Sequence, residues 1–161
     1  MTEKRKESIL TIEIVNLQNS MKVPKRKLRT LLKNVMFEEL GREVNVSLAV
    51  VNDRRIAELN KTFRGHAGPT DVLAFPFGDK EIGPEGQKVF GEIVISAQRA
   101  RHEARLRHIE PELELTLYAV HGMLHLVGYD HQSVRQAKKM RRRETEILKG
   151  FSPAKRGKKK R

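Results

Sequence analysis

One segment dictates how the rest of the chain must pack. Opened by Pro111, PELELTLYAVHGMLHLVG (111–128) is apolar over most of its surface. A helix apolar nearly all round is buried at the centre of a domain. This one also carries His121 and His125, four residues apart. Their rings lie about 40° apart around the axis and about 6 Å apart along it, so both can face one ion. His131 cannot join them while the helix continues, because it would stand about 15 Å beyond His121 on a different face. Gly128 removes the obstacle, since glycine readily takes the left-handed conformation that ends a helix. The spacing predicts three imidazole ligands with a fourth position open to solvent, the arrangement of a catalytic metal site rather than a closed structural one. Asp130 is the local candidate to close the site as a fourth ligand. It could equally orient a histidine as a hydrogen-bond acceptor behind the ligands.

The skeleton H-x-x-x-H-x-x-G-x-x-H is also that of a class of zinc peptidases, which place a glutamate immediately after the first histidine as general base. Here that position is Gly122. Zinc lowers the pKa of a bound water from about 15.7 to about 7, so a nucleophile can form without a neighbouring base. Peptide cleavage still needs a proton delivered to a poor amine leaving group. Phosphodiester cleavage instead spreads charge over phosphate oxygens, which a metal and an arginine stabilise well. The chain has no cysteine, so only His, Asp and Glu can ligate a metal. Imidazole ligands suit zinc, and nickel as well.

Around the histidine helix, ILTIEIVN (9–16) alternates and predicts a first strand. VPKRKLRTLLKNVMFEELG sets Pro24 at a helix start and Gly41 just past its end, with Leu28, Leu31, Leu32, Val35 and Leu40 along one face. EVNVSLAVVN (43–52) predicts a second strand with Val44, Val46, Leu48 and Val50 on one side. Asn52 or Asp53 can cap a short helix carrying Ile56 and Leu59. FRGHAGPTDVLAFPFG (63–78) begins as a glycine-rich loop and ends in a third strand, Val72 to Phe75. The fourth is VFGEIVIS (89–96), and the turn-forming DKEIGPEGQ before it is short enough for an antiparallel pair. Ser96 can cap the basic helix AQRARHEARLRH, and Ser133 the last helix, VRQAKKMRRRETEILK. These elements predict one α/β (α+β) domain over residues 1–149, with a small mixed sheet of about four strands packed by about five helices. Residues 150–161 are expected to form a basic, disordered tail.

With HGMLHLVGYDH and LNKTFRGHAGPTDVLAFP both in view, the chain resembles the YbeY family of bacterial endoribonucleases. The first block meets that family's H-G-x-L-H-L-x-G-Y-D-H pattern at every fixed position. The second lies at the expected distance upstream, and GEIVIS matches a shorter third block. The resemblance covers roughly the middle half of the chain. It implies cleavage of single-stranded RNA in ribosomal RNA processing, notably maturation of the small-subunit 3′ end, and in ribosome quality control. It implies His121, His125 and His131 as ligands of one zinc ion per chain, and Arg64 as the catalytic arginine beside it. Three positions depart from the family: Ala67 where an acid is common, Ala74 for the usual serine, and Glu92 for a frequent aspartate. Ala67 removes any polar role from that loop position.

Net charge is +13, and the last twelve residues hold six of the basic groups and no acid, so the body is itself basic. A polyanionic partner is the simplest implication. Arg64 offers a planar fork of donors suited to gripping a phosphate. Arg99, Arg101, Arg105 and Arg107 crowd one helix and Arg141, Arg142 and Arg143 another. Arg99, Arg101, Arg105, Arg141 and Arg142 are candidate RNA contacts, of a kind that gives affinity without sequence choice. Thr70 and Asp71 are expected to fix their loop by local hydrogen bonds, and His66 to be a solvated loop histidine. With six Phe, two Tyr and no Trp, stacking platforms are few and most aromatics are expected in the core. Specificity is then left to the ribosomal small subunit or its associated proteins. Two rival readings are a zinc peptidase using Glu92 or Asp71 as base, and a ribosome-associated RNA-binding factor with a structural zinc. No apolar run is long enough for a bilayer, and MTEKRKES lacks a secretory core. The expected location is the cytoplasm.

Overall fold

A computed structural model describes residues 11–81 and 88–153. The strands are β1 (Ile12–Asn16), β2 (Val46–Val51), β3 (Val72–Glu81) and β4 (Lys88–Ser96). The helices are α1 (Lys25–Leu40), α2 (Asp53–Arg64), α3 (Ala97–Arg107), α4 (Pro111–Leu126) and α5 (Val134–Leu148). The four strands form one sheet in the order β1-β2-β4-β3. β1 and β4 flank β2 in parallel, and β3 closes the edge antiparallel to β4. The predicted α/β class and the antiparallel pair both hold. β3 is longer than the stretch expected, and the segment linking it to β4 lies at 82–87, outside the described residues.

Period-two alternation sends each strand's side chains to opposite faces. On one face Ile12, Ile14, Val46, Leu48, Val50, Ile93 and Ile95 pack against α1 and α4 in a single core. On the other a smaller cluster of Val51, Leu73 and Val94 is covered by Ile56 of α2. α4 is central, as its apolar circumference requires. Leu115, Ala119, Val120, Met123 and Leu124 are completely buried. It lies tight on the sheet at two glycines. A Cβ on Gly91 would come 2.6 Å from the Leu126 side chain, and one on Gly122 would come 2.6 Å from Ile93 Cγ2.

Local chemistry sets the helix ends. Asn52, Ser96 and Ser133 accept N-cap hydrogen bonds from Arg55, Arg99 and Gln136, and Gly41 ends α1 in the left-handed region. The body runs past the boundary expected at 149. Phe151 is buried and the Ser152 carbonyl accepts from Lys27 Nζ at 3.0 Å, so 150–153 belong to the folded part. The remainder of the expected tail, 154–161, lies outside the described residues, as do the first two residues of the first predicted strand. The aromatic expectation holds in part: Tyr118 and Phe151 are buried, and Phe75, Phe90 and Tyr129 pack half-buried against the core. Of the six phenylalanines only Phe151 is buried, while Phe63 is 65 % exposed.

Candidate active site

Each histidine reaches the site for a local reason. His121 and His125 stand one turn apart on α4, and the helix ends at Leu126. Gly128 then takes φ +108, and the Tyr129 N–H turns back to the Leu124 carbonyl at 2.9 Å. That reversal sets the His131 ring centroid 5.0 Å from that of His125 and 5.8 Å from that of His121. One ring nitrogen from each of the three lies within 4.8 Å of the others, a group able to hold a metal ion. His121 Nε2 and His125 Nε2 are 3.1 Å apart. Two ligands about 2.0 Å from one tetrahedral ion would be about 3.3 Å apart, so the rings are already set for a shared cation.

On two of the three rings the remaining nitrogen is occupied from behind. His121 Nδ1 meets Glu144 Oε1 of α5 at 2.7 Å, and His125 hydrogen-bonds the Tyr129 backbone. A carboxylate or carbonyl on one nitrogen fixes the tautomer that presents the other as a ligand. Burial, reinforced by the neighbouring His121 and His125's other partner His131, holds the His125 pKa below its ordinary value. The ring is therefore neutral at pH 7, the form that binds a metal. Glu144 was not anticipated from sequence. Asp130, expected either as ligand or behind a ligand, accepts the His131 backbone N–H at 2.7 Å, and so steadies the third histidine through its main chain. Tyr129 donates its hydroxyl to Glu39 at 3.1 Å, tying the same turn to α1.

A cleft of about 820 Å³ opens over the cluster along edge strand β3. His121, His125 and His131 line it together with Arg64, Thr70, Asp71 and Phe75. Arg64 is the last residue of α2, where Gly65 turns the chain in the left-handed region. It is exposed and has no carboxylate partner among the described residues. The loop that follows is held by buried Asn60, whose Nδ2 donates to the Gly68 carbonyl at 3.0 Å. Asp71 makes long-range rather than local bonds. Its carboxylate accepts from Arg99 Nε at 3.0 Å and its carbonyl from Ser96 N at 3.0 Å. Arg99 is thus committed to the cleft wall, while Arg101 and Arg105 on α3 and Arg141 and Arg142 on α5 are exposed. His66 does not line the cleft.

The peptidase reading meets a steric obstacle. Gly122 faces the sheet, 2.6 Å from Ile93 Cγ2 and 3.3 Å from Val72 Cγ2 measured from an added Cβ, so no glutamate fits there. Glu92, one proposed substitute base, lines a groove on the opposite face of the sheet and not the cleft. The other, Asp71, already has one carboxylate oxygen held by Arg99.

Known proteins resemble the chain over most of its length. The sequence model of the family described as Endoribonuclease YbeY matches residues 13–152. An Endoribonuclease YbeY of Pelotomaculum thermopropionicum is 43 % identical over 113 residues, which are 69 % of this chain and 74 % of that protein. The one of Thermodesulfovibrio yellowstonii is 30 % identical over 159 residues, covering 89 % of this chain and 99 % of its own. A solution structure of a Thermotoga maritima protein superposes with a TM-score of 0.61 at 29 % identity, covering 86 % of this chain and 87 % of that one.

Proposed function

Because the chain belongs to the Endoribonuclease YbeY family, we propose that it is a metal-dependent endoribonuclease that cleaves single-stranded RNA in ribosomal RNA processing. Its task is maturation of the small-subunit 3′ end and ribosome quality control, carried out in the cytoplasm in association with the small subunit or its proteins. Residues 1–149 form the catalytic domain, extended by the packed segment 150–153, with the remaining basic residues as an appendage.

One observation carries this reading: a guanidinium without an acidic partner and three preset imidazoles line the same cleft. His121, His125 and His131 would hold one Zn2+, an ion suited to three neutral imidazoles and an open fourth position. Such an ion supplies Lewis-acid polarisation and a water of lowered pKa. The chain's own residues do the rest. Arg64 binds the scissile phosphate through a charge-assisted fork and stabilises the negative charge that grows on its oxygens. Glu144 and the Tyr129 backbone hold two rings in register, and the Arg99–Asp71 pair keeps the cleft wall in place. Arg101, Arg105, Arg141 and Arg142 supply attraction for the RNA backbone outside the cleft.

The decisive experiment is cleavage of unstructured RNA by metal-loaded wild type, His125→Ala and Arg64→Ala, with folding checked by circular dichroism. His125→Ala is expected to abolish cutting, and Arg64→Ala to lower kcat/KM by roughly 10²–10³-fold. Equal cutting by both folded variants would rule the site out. The product ends then identify the nucleophile, since a 2′,3′-cyclic phosphate arises only by attack of the RNA's own 2′-OH.

A further inference from the structure

The sheet face turned towards α2 is only partly covered. Beyond Ile56 and Leu59, the remainder forms a groove of about 400 Å³, within the size range of small-ligand sites. Phe63, Phe75, Phe77, Val94 and Leu17 line it, with Arg55 and Glu92 as its polar groups. Two large apolar side chains here stand in water, Phe63 at 65 % and Leu17 at 61 % exposure. The groove adjoins the histidine cleft, sharing two lining residues with it. Phe63 and Phe75 line both, meeting edge to face with ring centroids 5.4 Å apart.

We propose that this groove is a nucleobase subsite, which receives an unpaired base of the RNA strand whose phosphate lies in the cleft. The inference rests on the ribonuclease reading above and extends it to substrate selection. Phe63 and Arg64 are consecutive at the end of α2, so one nucleotide can meet a cation at its phosphate and an aromatic ring at its base. Aromatic rings accept any base by stacking. Phe75 faces Glu92 directly across the β3–β4 ladder, which sets a carboxylate acceptor beside the stacking ring. A carboxylate accepts from an exocyclic amine such as that of cytosine and repels phosphate, so the groove selects base over backbone. Arg55, which bonds Glu58 at 3.3 Å, closes the rim. A strand bound this way crosses the edge of the sheet, with its backbone on the histidine side and a base on the α2 side.

The test uses the metal-loaded full chain and a short unstructured RNA whose cleavage position has been mapped. Replacing Phe63 by Ala is expected to raise KM about tenfold, as loss of one stacked base does, and Phe63→Tyr to keep it near wild type. An arm without mutation uses RNAs carrying an abasic residue on either side of the cleaved bond. One of them should raise the wild-type KM by a similar factor and erase the difference between wild type and Phe63→Ala. If wild type cleaves the intact RNA and neither the Ala variant nor either abasic RNA changes KM, the subsite is wrong while the ribonuclease reading stands. That result is also the one expected if the groove takes a protein segment. If wild type cleaves no RNA, the ribonuclease reading falls and takes the subsite with it.

Discussion

Three histidines within eleven residues are legible in sequence because two lie a helical turn apart and a glycine precedes the third. Glu144 is not, because it stands 23 residues from His121 on a separate helix, among a run of arginines that draws the eye to charge rather than to geometry. Nothing local distinguishes it from the exposed acids nearby. Its side chain is only 13 % exposed and its carboxylate meets His121 Nδ1. Adjacency to His131 points to Asp130 instead, yet its carboxylate takes the His131 main-chain N–H and not a ring nitrogen. Acceptors behind a ligand typically contribute 10- to 100-fold in metal affinity. Glu144→Ala should therefore weaken zinc binding within that range, read by competition against a chromophoric chelator. An unaltered affinity in a variant that melts like wild type would mean that packing alone orients His121.

Every helix and strand had a sequence signal, from the Pro24 and Gly41 limits of α1 to the Ser133 cap of α5. What could not be read was how closely α4 lies on the sheet. Gly91 and Gly122 are 31 positions apart in the sequence, and neither alone signals a close approach. Only the fold shows each meeting a core side chain where a Cβ would stand. In sequence Gly122 stands out for the carboxylate it lacks; its physical role is to let α4 down onto Ile93 and Val72. The contact is with a branched core residue rather than a flexible tip, so even a methyl must displace the helix or the strand. Gly122→Ala should then cost about 1–3 kcal/mol, the usual penalty of overpacking, measured by chemical denaturation. Because α4 carries His121 and His125, zinc affinity should fall with stability. A variant as stable as wild type would show that the sheet yields at this point. α5 is also tied to α1 by Arg143, which bonds Glu38 and Glu39, so Glu144 is not its sole polar anchor.

At the scale of the molecule, the charge excess was plain from composition, whereas its distribution was not. The structure divides the arginines by occupation. Arg99, Arg107 and Arg143 are committed to Asp71, Glu114 and the α1 acids. Exposed Arg141 and Arg142 share a surface of α5 with Lys138 and Lys149. α5 is also the helix that reaches the histidines through Glu144, so a strand leaving the cleft on that side would meet these cations next. Each phosphate neutralised on a single strand releases counterions and contributes about −0.7 to the slope of log K against log salt. Replacing Arg141 and Arg142 together by alanine should flatten that slope by about 1.4 if both contact phosphates. Affinity should weaken equally for RNAs of different sequence, as expected of backbone contacts. Fluorescence anisotropy over a salt series reads both effects. Arg99→Ala is the contrasting case: it breaks the bond to Asp71 and should lower the melting temperature while leaving the slope near wild type. If the double variant keeps the full slope, the RNA path does not run along α5, and Arg101 and Arg105 on α3 become the cations to test.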